Sequence, residues 1–379
     1  MTDVLIYADT LRSPEMRHEV PLPVPDPFLY AEVGGTRYAL AHALEVPRLR
    51  ELDGIETVPY EDVGWDELIA AGISRDELHL HLAVNACGRL GIESAVVPST
   101  FPVELADHLR AGGIELRADR ALFADRRRAK TPVEVEGIRR AQRAAETAMD
   151  AVRAALRRAD ASNSTLVLDG EPLTCERLKR AIGEVFAEHD VVADDYVVSH
   201  GSQSAVGHDM GSGPIAPGEP IVGDLWPKDR ATACYADMTR TFVVGDPPPE
   251  ELAGWHRLVL EALQEAIAAI RPGAGGRDLY FGTCDLFERH GHRTARSKAP
   301  GEVLEEGFFH GLGHGVGLEV HEDPGMGLAS QGELVAGDVV TVEPGLYRPG
   351  FGGCRLEDIV LVTESGAENL TDYPYDLTP

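Results

Sequence analysis

The segment IVGDLWPKDRATACYADMTRTF, residues 221–242, contains two apolar stretches joined by a polar turn, and each stretch carries one aspartate. Alternate side chains of a β-strand share a face, so the pattern predicts a hairpin that brings Asp237 back opposite Asp224. An unpaired carboxylate is costly to bury in an apolar strand. We therefore expect a cation or hydrogen-bond donors at this hairpin, with Thr239 and Thr241 on the same face as Asp237 to orient its oxygens.

Two later segments repeat this arrangement of a single acid in an apolar strand. Residues 339–345 (VVTVEPG) carry Glu343 just before a proline that ends the strand. Residues 354–361 (CRLEDIVL) carry Glu357, with Arg355 on the same face. We expect both glutamates to be metal ligands. Arg355 is expected to be a charge partner of the site or a clamp for the substrate.

Histidines complete the candidate site. The segment HGLGHGVGLEVH, residues 310–321, is too rich in glycine for a helix, so it is not a helical HExxH zinc motif. Its glycines allow the backbone to approach a metal closely. We expect His314 to be a ligand and the flanking His310 and His321 to be proton donors. His208, from a separate loop, is a further candidate.

Four carboxylates and one imidazole form the predicted ligand set: Asp224, Asp237, His314, Glu343 and Glu357. Hard divalent cations prefer oxygen ligands, and a single histidine is typical of sites for Mn, Zn, Co or Fe rather than Ca. Two such ions a few ångströms apart can turn a bridging water into a hydroxide nucleophile at neutral pH. The ligand set therefore predicts a hydrolase with two metal ions.

Bulk properties limit the partners that we expect. The chain has 379 residues and a formal net charge of −28, which argues against nucleic acid and anionic membranes as partners. The N-terminal sequence lacks the features of a signal peptide, and no apolar run reaches the length of a membrane span. The five cysteines are scattered without a CxxC pair. We expect a reduced, cytoplasmic protein.

The chain divides into two predicted domains near residue 130. In the first part, Gly34-Gly35 separates two short strands and predicts a β-hairpin. After a basic run, Thr131 and Glu134 form a capping box around Pro132 and predict the start of a long amphipathic helix. We expect domains over residues 1–130 and 131–379. Further helices are predicted over residues 174–186, 249–270 and 278–290.

These motifs, in this order over residues 131–379, resemble the creatinase/aminopeptidase P/prolidase/methionine aminopeptidase family, the "pita-bread" metallopeptidases. The first domain is similar to the N-terminal domain of aminopeptidase P and prolidase, which methionine aminopeptidases lack. Creatinase itself has lost the metal ligands. The resemblance implies an α/β (α+β) protein: a creatinase-like N-terminal α/β domain, then a pita-bread catalytic domain with a curved, mainly antiparallel sheet covered by helices.

The resemblance also implies a role for each ligand. Asp224 chelates one metal ion, and His314 and Glu343 hold the other. Asp237 and Glu357 bridge the two ions. Glu343 also accepts the proton of the bridging water as general base. Mn is the metal that the resemblance favours, and Co, Zn and Fe are alternatives.

Further roles follow from the same resemblance. His321, His310 and His208 bind the substrate and stabilise the tetrahedral intermediate, and Arg355 supports the site through its charge. The family implies a homodimer. It also implies a small peptide substrate with proline at the second position, although no residue of the sequence by itself identifies a proline pocket.

Three functions stay open on the sequence alone. The leading hypothesis is hydrolysis of the Xaa-Pro bond by a metal-bridging hydroxide, as an aminopeptidase P or as a prolidase. The second is hydrolysis of a non-peptide C–N bond on the same scaffold. The third is a metal-free, non-catalytic binding protein, which the intact ligands and the three histidines disfavour.

Overall fold

The computed structural model describes residues 2–162, 164–245 and 247–379. The chain forms two compact units, Met1–Arg127 and Arg128–Pro379. The boundary between them falls in the basic run that precedes Thr131. No helix in the described part of the chain is long and apolar enough to cross a membrane.

The N-terminal unit is built on a mixed sheet with the strand order β4-β3-β2-β1-β5-β6. The strands are β1 (Val4–Ala8), β2 (Phe28–Val33), β3 (Thr36–Ala41), β4 (Ile55–Pro59), β5 (Ser94–Val97) and β6 (Glu115–Ala118). The helices are α1 (Pro14–Glu19), α2 (Val46–Leu49), α3 (Trp65–Ala70), α4 (Arg75–Leu90), α5 (Val103–Ala111) and α6 (Arg120–Arg128).

The sequence pattern of the N-terminal unit explains this sheet. Strands β2 and β3 pair antiparallel, as the hairpin prediction required, and Gly34 and Gly35 both adopt positive φ at the turn. Adjacent residues of β1 point to opposite faces, and both faces are covered: Leu5 and Ile6 are fully buried in two separate apolar cores. The predicted hairpin and the α/β character of this unit are confirmed.

The second unit contains longer helices and more strands. Its helices are α7 (Pro132–Arg158), α8 (Cys175–Glu188), α9 (Glu250–Ala269) and α10 (Gly276–Arg289). Its strands are β7 (Val167–Leu168), β8 (Glu171–Pro172), β9 (Val191–Val192), β10 (Val197–His200), β11 (Pro220–Leu225), β12 (Lys228–Asp229), β13 (Met238–Val243), β14 (Gly313–Gly315), β15 (Glu322–Met326), β16 (Val339–Val342), β17 (Gly345–Arg348), β18 (Gly352–Arg355), β19 (Asp358–Val362) and β20 (Ala367–Asn369).

Two antiparallel sheets position the candidate site. One has the order β10-β11-β13 and the other the order β15-β14-β16-β19-β20. The strands are antiparallel as predicted, but they lie in these two sheets and in two-stranded ribbons rather than in one continuous sheet. The sheets are joined where the Glu357 backbone N–H donates to the Thr239 carbonyl, at 3.0 Å.

The helices follow the sequence signals closely. Thr131 Oγ1 accepts from the Glu134 backbone N–H at 3.2 Å, and Glu134 Oε2 accepts from the Thr131 backbone N–H at 2.8 Å, so the predicted capping box is confirmed. The apolar face of α7 is buried against α8 and the β10-β11-β13 sheet. It includes Ala145, Met149, Val152 and Leu156. The other three predicted helices are present as α8, α9 and α10, with ends within two residues of those expected.

Candidate metal centre

The hairpin of β11 and β13 has a different register from the one predicted. Asp224 lies opposite Thr239, and Asp237 precedes β13, so the expectation that Asp237 lies opposite Asp224 is wrong. The connecting residues form their own contacts, including the Ala236 backbone N–H to the Pro227 carbonyl at 2.9 Å, instead of a tight turn. The offset is two residues, so both carboxylates still share one face of the hairpin.

Thr239 and Thr241 orient other groups than Asp237. Thr239 Oγ1 donates to Glu357 Oε2 at 2.7 Å, and Thr241 Oγ1 donates to the Arg355 carbonyl at 2.8 Å. The prediction that these threonines orient the oxygens of Asp237 is therefore wrong. The backbone bond from Glu357 to Thr239 brings the Glu357 carboxylate, rather than that of Asp237, next to the Thr239 hydroxyl.

The other predicted ligands also occupy strand positions or strand ends. Glu343 directly follows β16, and its backbone N–H donates to the Leu312 carbonyl at 2.7 Å. His314 lies in β14, where its backbone N–H donates to Thr341 Oγ1 at 3.1 Å. These backbone hydrogen bonds fix the main-chain positions of Glu343 and His314, so the carboxylate and the imidazole have little freedom to move.

Side chains of the predicted ligands converge. His314 Nε2 lies 3.4 Å from Glu343 Oε1 and 3.9 Å from Asp237 Oδ2. One ligand atom from each of Asp237, His314 and Glu357 lies within 4.8 Å of the other two. The remaining ligand, Asp224, contacts Arg355 through Oδ2. The Coulombic influence of Asp224 on Asp237 places it in the same charge cluster.

Electrostatics give the strongest indication that this cluster holds a cation. Burial raises the pKa of Asp237 well above its usual value, and the charges of three neighbouring carboxylates raise it further. Burial likewise raises the pKa of Glu357, as do the charges of Glu343 and Asp224. Burial also raises the pKa of Glu343. One guanidinium, that of Arg355, does not offset four carboxylates.

A free acceptor provides an independent test of whether the residues fit a metal. Asp237 is 4% exposed, and within the described part of the chain its buried Oδ1 accepts no hydrogen bond. Such an oxygen is costly to bury unless a cation or donor reaches it. A divalent cation would satisfy this oxygen and reduce the repulsion among the carboxylates. The donor set, four carboxylates and one imidazole, therefore fits a divalent metal.

Arg355 is buried and ties several parts of the site together. It forms an ion pair with Asp224, and its Nε donates to Thr239 Oγ1 at 3.2 Å. Its Nη1 donates to Tyr347 Oη at 3.0 Å. A guanidinium with all of these partners is a fixed cation beside Asp224. This arrangement agrees with the charge-partner alternative for Arg355 and leaves less freedom for the substrate-clamp alternative.

Tyr347, which sequence reasoning did not single out, fixes the orientation of His310. Because Tyr347 Oη accepts from Arg355, its own hydrogen is available to His310 Nε2, 2.9 Å away. His310 Nδ1 lies 2.7 Å from the Gly311 carbonyl, so this nitrogen carries the proton. Burial raises the pKa of Tyr347 to about 12, and burial lowers the pKa of His310. Both nitrogens of a neutral His310 are thus occupied, which does not favour its predicted role as proton donor.

His321 and His208 are the two candidate histidines that remain accessible. Both side chains are exposed, and the His321 ring lies 4.2 Å from the His314 ring between centroids. Burial lowers the pKa of His321, and the adjacent His314 lowers it further. The ring contact places His321 beside the candidate ligand His314, and His208 is exposed on its own loop.

Comparison with known sequences identifies the class of protein. The profile of metallopeptidase family M24 matches residues 136–364 of this chain. That span is more than half of the 379 residues, so the chain belongs to metallopeptidase family M24. The family resemblance predicted from the motifs is confirmed.

Individual relatives are similar to part of the chain. The Xaa-Pro dipeptidase of Pyrococcus furiosus is 38% identical over 184 residues, which cover 47% of this chain and 47% of that protein. The probable dipeptidase PepE of Mycobacterium tuberculosis is 32% identical over 205 residues, which cover 50% of this chain and 51% of that protein. The matches thus span about half the length of these curated relatives.

Solved structures are similar over nearly the whole chain. The prolidase from Pyrococcus furiosus superimposes with a TM-score of 0.77 at 23% identity, over 99% of this chain and 97% of that chain. The X-Pro aminopeptidase from Thermotoga maritima gives a TM-score of 0.78 at 20% identity, with the same coverage. At these identities the likeness shows the fold, and the predicted fold class is confirmed.

Proposed function

We propose that this chain hydrolyses the Xaa-Pro peptide bond and releases the residue ahead of proline, using two divalent metal ions. Asp224, Asp237, His314, Glu343 and Glu357 would hold the ions, and Mn is the first choice. The observation that carries the proposal is the Asp237 oxygen that is buried without a hydrogen bond among three other carboxylates. Family membership and relatives that are named Xaa-Pro dipeptidase support hydrolysis and the substrate class.

Residues of the chain divide the chemistry among them. Bound metal ions would supply Lewis-acid chemistry, which polarises a carbonyl and lowers the pKa of water. Glu343 accepts the proton of the attacking water. Its carboxylate lies beside the His314 imidazole, with Oε1 3.4 Å from Nε2, so the base and the candidate ligands share one pocket of the site.

The histidines act on the substrate side in this proposal. His321 and His208 are exposed and bind the peptide, and His321 donates to the oxygen that becomes negative in the tetrahedral intermediate. His310 has both ring nitrogens engaged, so it shapes the site and keeps Tyr347 and Arg355 in place. Arg355 holds Asp224 through a buried ion pair.

We extend the proposal to the organisation of the protein. A creatinase-like domain over residues 1–130 and a catalytic domain over residues 131–379 agree with the division into two units near residue 127. A homodimer and a cytoplasmic location complete the proposal, and each rests on the expectations from the sequence. Size-exclusion chromatography with light scattering tests the dimer directly.

The first experiment is an assay of the chelator-stripped protein on an Xaa-Pro dipeptide and on a longer peptide with proline second. Each assay is run without metal and with Mn, Co, Zn or Fe. Metal-restored cleavage before proline supports the proposal, and the preferred length distinguishes prolidase from aminopeptidase P activity. Metal binding without cleavage of any Xaa-Pro peptide would reject the substrate and redirect the search to non-peptide C–N bonds.

A further inference from the structure

A side-chain amide bridges the base of the loop that carries His208. Gln203 Nε2 donates to the Ser212 carbonyl at 3.0 Å, and the Ser212 backbone N–H donates to Gln203 Oε1 at 3.2 Å. One amide therefore satisfies both backbone groups of Ser212, in the way that a neighbouring strand would. We call this pair of hydrogen bonds the Gln203–Ser212 clasp.

Further contacts fasten the base of the same loop. His200 Nε2 lies 3.2 Å from the Ser212 carbonyl, and His200 Nδ1 lies 2.7 Å from Glu219 Oε2. The Val198 backbone N–H donates to the Met210 carbonyl at 3.2 Å. The base of the loop is thus attached to β10 and to the segment before β11. Each of these contacts joins a residue before His208 to a residue after it.

The tip of the loop has much weaker support. Val206 is 59% exposed, His208 is exposed, and Gly207 has open space around its Cα. A turn bond from the Asp209 backbone N–H to the Val206 carbonyl, at 3.0 Å, closes the tip. Within the residues that the structure describes, His208 makes no hydrogen bond or ion pair. Its position therefore depends on how well the base of the loop is held.

We propose that Gln203 is a positioning residue for substrate binding: its clasp on Ser212 holds the loop so that His208 meets the peptide. The inference rests on the proposed function, in which His208 binds the substrate. In this role Gln203 acts through Ser212 and not by binding the substrate or a metal itself. It raises the fraction of molecules whose loop is already in the binding position, and a ligand that needs that position binds more weakly when the fraction falls.

Kinetics of clasp variants test the proposal on the metal-loaded enzyme. Gln203→Leu removes both hydrogen bonds, and Gln203→Glu removes the donor to the Ser212 carbonyl. We expect KM to rise about fivefold or more in each variant, with kcat within about twofold of the wild type. Gln264→Leu, at an exposed position of α9, is the matched control and is expected to leave both constants unchanged.

A double variant decides whether Gln203 acts through His208. If it does, Gln203→Leu has no further effect on KM in a His208→Ala background, because the group that it positions is gone. A full, independent effect of Gln203→Leu in that background would overturn the proposal. So would an unchanged KM in the single variants, or a loss confined to kcat.

Hydrogen exchange separates failure of this inference from failure of the proposed function. We expect Gln203→Leu to speed exchange at the amides of residues 206–212 and to leave β10 and β11 protected as in the wild type. Unchanged exchange in the loop would overturn the clasp whatever the substrate is. A wild type that cleaves no Xaa-Pro peptide would instead reject the proposed function, and the exchange rates would still decide whether Gln203 holds the loop.

Discussion

Glu357 and His208 belong to the same candidate site but are held in different ways. Glu357 is 2% exposed, with its backbone bonded to Thr239 and its carboxylate bonded to the Thr239 hydroxyl. His208 is exposed on a loop tip and makes no side-chain hydrogen bond within the described residues. The buried candidate ligands are fixed by strand pairing, whereas we infer that the exposed imidazole depends on the Gln203–Ser212 clasp.

The carboxylate cluster and the His208 loop should respond differently to substitution. The candidate ligands at strand ends are held in place by the backbone. Holding them together has a cost, because the buried carboxylates repel one another. Substrate-binding loops usually belong to the least stable parts of a protein. Changes among the carboxylates should therefore alter metal binding and kcat, and changes in the loop should alter KM.

Asp237→Asn should have the largest effect. The substitution removes the charge of a ligand while keeping its shape, so we expect kcat to fall by about a thousandfold, since Lewis-acid activation is worth several kcal/mol. Metal content, measured by elemental analysis after dialysis, should fall as well. Asp53→Asn, at an exposed site of the N-terminal unit, is the control. Full metal content and activity in Asp237→Asn would remove Asp237 from the ligand set.

Tyr347→Phe should have the next largest effect. The change removes the hydroxyl that accepts from Arg355 and donates to His310, so Arg355 loses a contact that fixes it beside Asp224. We expect kcat to fall about tenfold, the low end of the range for groups that act on a metal site from beyond its ligands. Metal content should stay close to that of the wild type. If His310 instead donates protons to the substrate, its pKa in the pH–rate profile would move in Tyr347→Phe, which would contradict its assignment as a shaping residue.

The apo protein should lose stability as pH rises. Asp237, Glu357 and Glu343 have pKa values raised in the folded protein, so the folded state binds more protons than the unfolded state above the usual carboxylate pKa. Stability is then fully present below that pKa and is lost as pH rises through the folded pKa values. The buried His310 and His314 have lowered pKa values, and they oppose this trend below the ordinary histidine pKa of about 6.5. We therefore expect a lower Tm at pH 8 than at pH 7 for the chelator-stripped protein.

The metal-loaded protein provides the comparison for this pH effect. Bound cations favour the ionised carboxylates, so the decline in Tm between pH 7 and pH 8 should become much smaller. The net charge of −28 on the chain affects the apo and the metal-loaded protein alike, so its effect cancels when their declines in Tm are compared. Equal declines in the two forms would show that the carboxylate cluster does not set the pH dependence.

The sequence predicted the parts of the site that local patterns determine. Apolar strands with a single acid identified Asp224, Asp237, Glu343 and Glu357 as groups that would have to meet, and the structure brings them into one charge cluster. The capping box of Thr131 could also be predicted, because its hydrogen bonds join residues three positions apart. Such features depend on residues within a few positions of each other.

Long-range partners could not be predicted in the same way. The register of β11 against β13 depended on how residues 227–236 fold, and the sequence did not specify that. The pairing of β17 with β18 brings Tyr347 to Arg355, and a separate bridge between Gly307 and Tyr347 brings it to His310, 37 residues away in the sequence. The Gln203–Ser212 clasp uses a side chain as a backbone partner, for which glutamine has no distinctive sequence signature.

The smallest expected effect compares two glycines of the His208 loop. Gly207 and Gly213 both have open space where a Cβ would lie, but Gly213 has φ +81° and Gly207 lies outside the positive-φ range. Gly207→Ala restricts the loop without strain, so we expect KM to fall by about twofold. Gly213→Ala forces a left-handed alanine next to Ser212, so we expect KM to rise. Because added volume is the same in both variants, opposite shifts in KM would mean that loop order sets substrate affinity, whereas shifts in the same direction would mean that the loop does not contribute through its conformation.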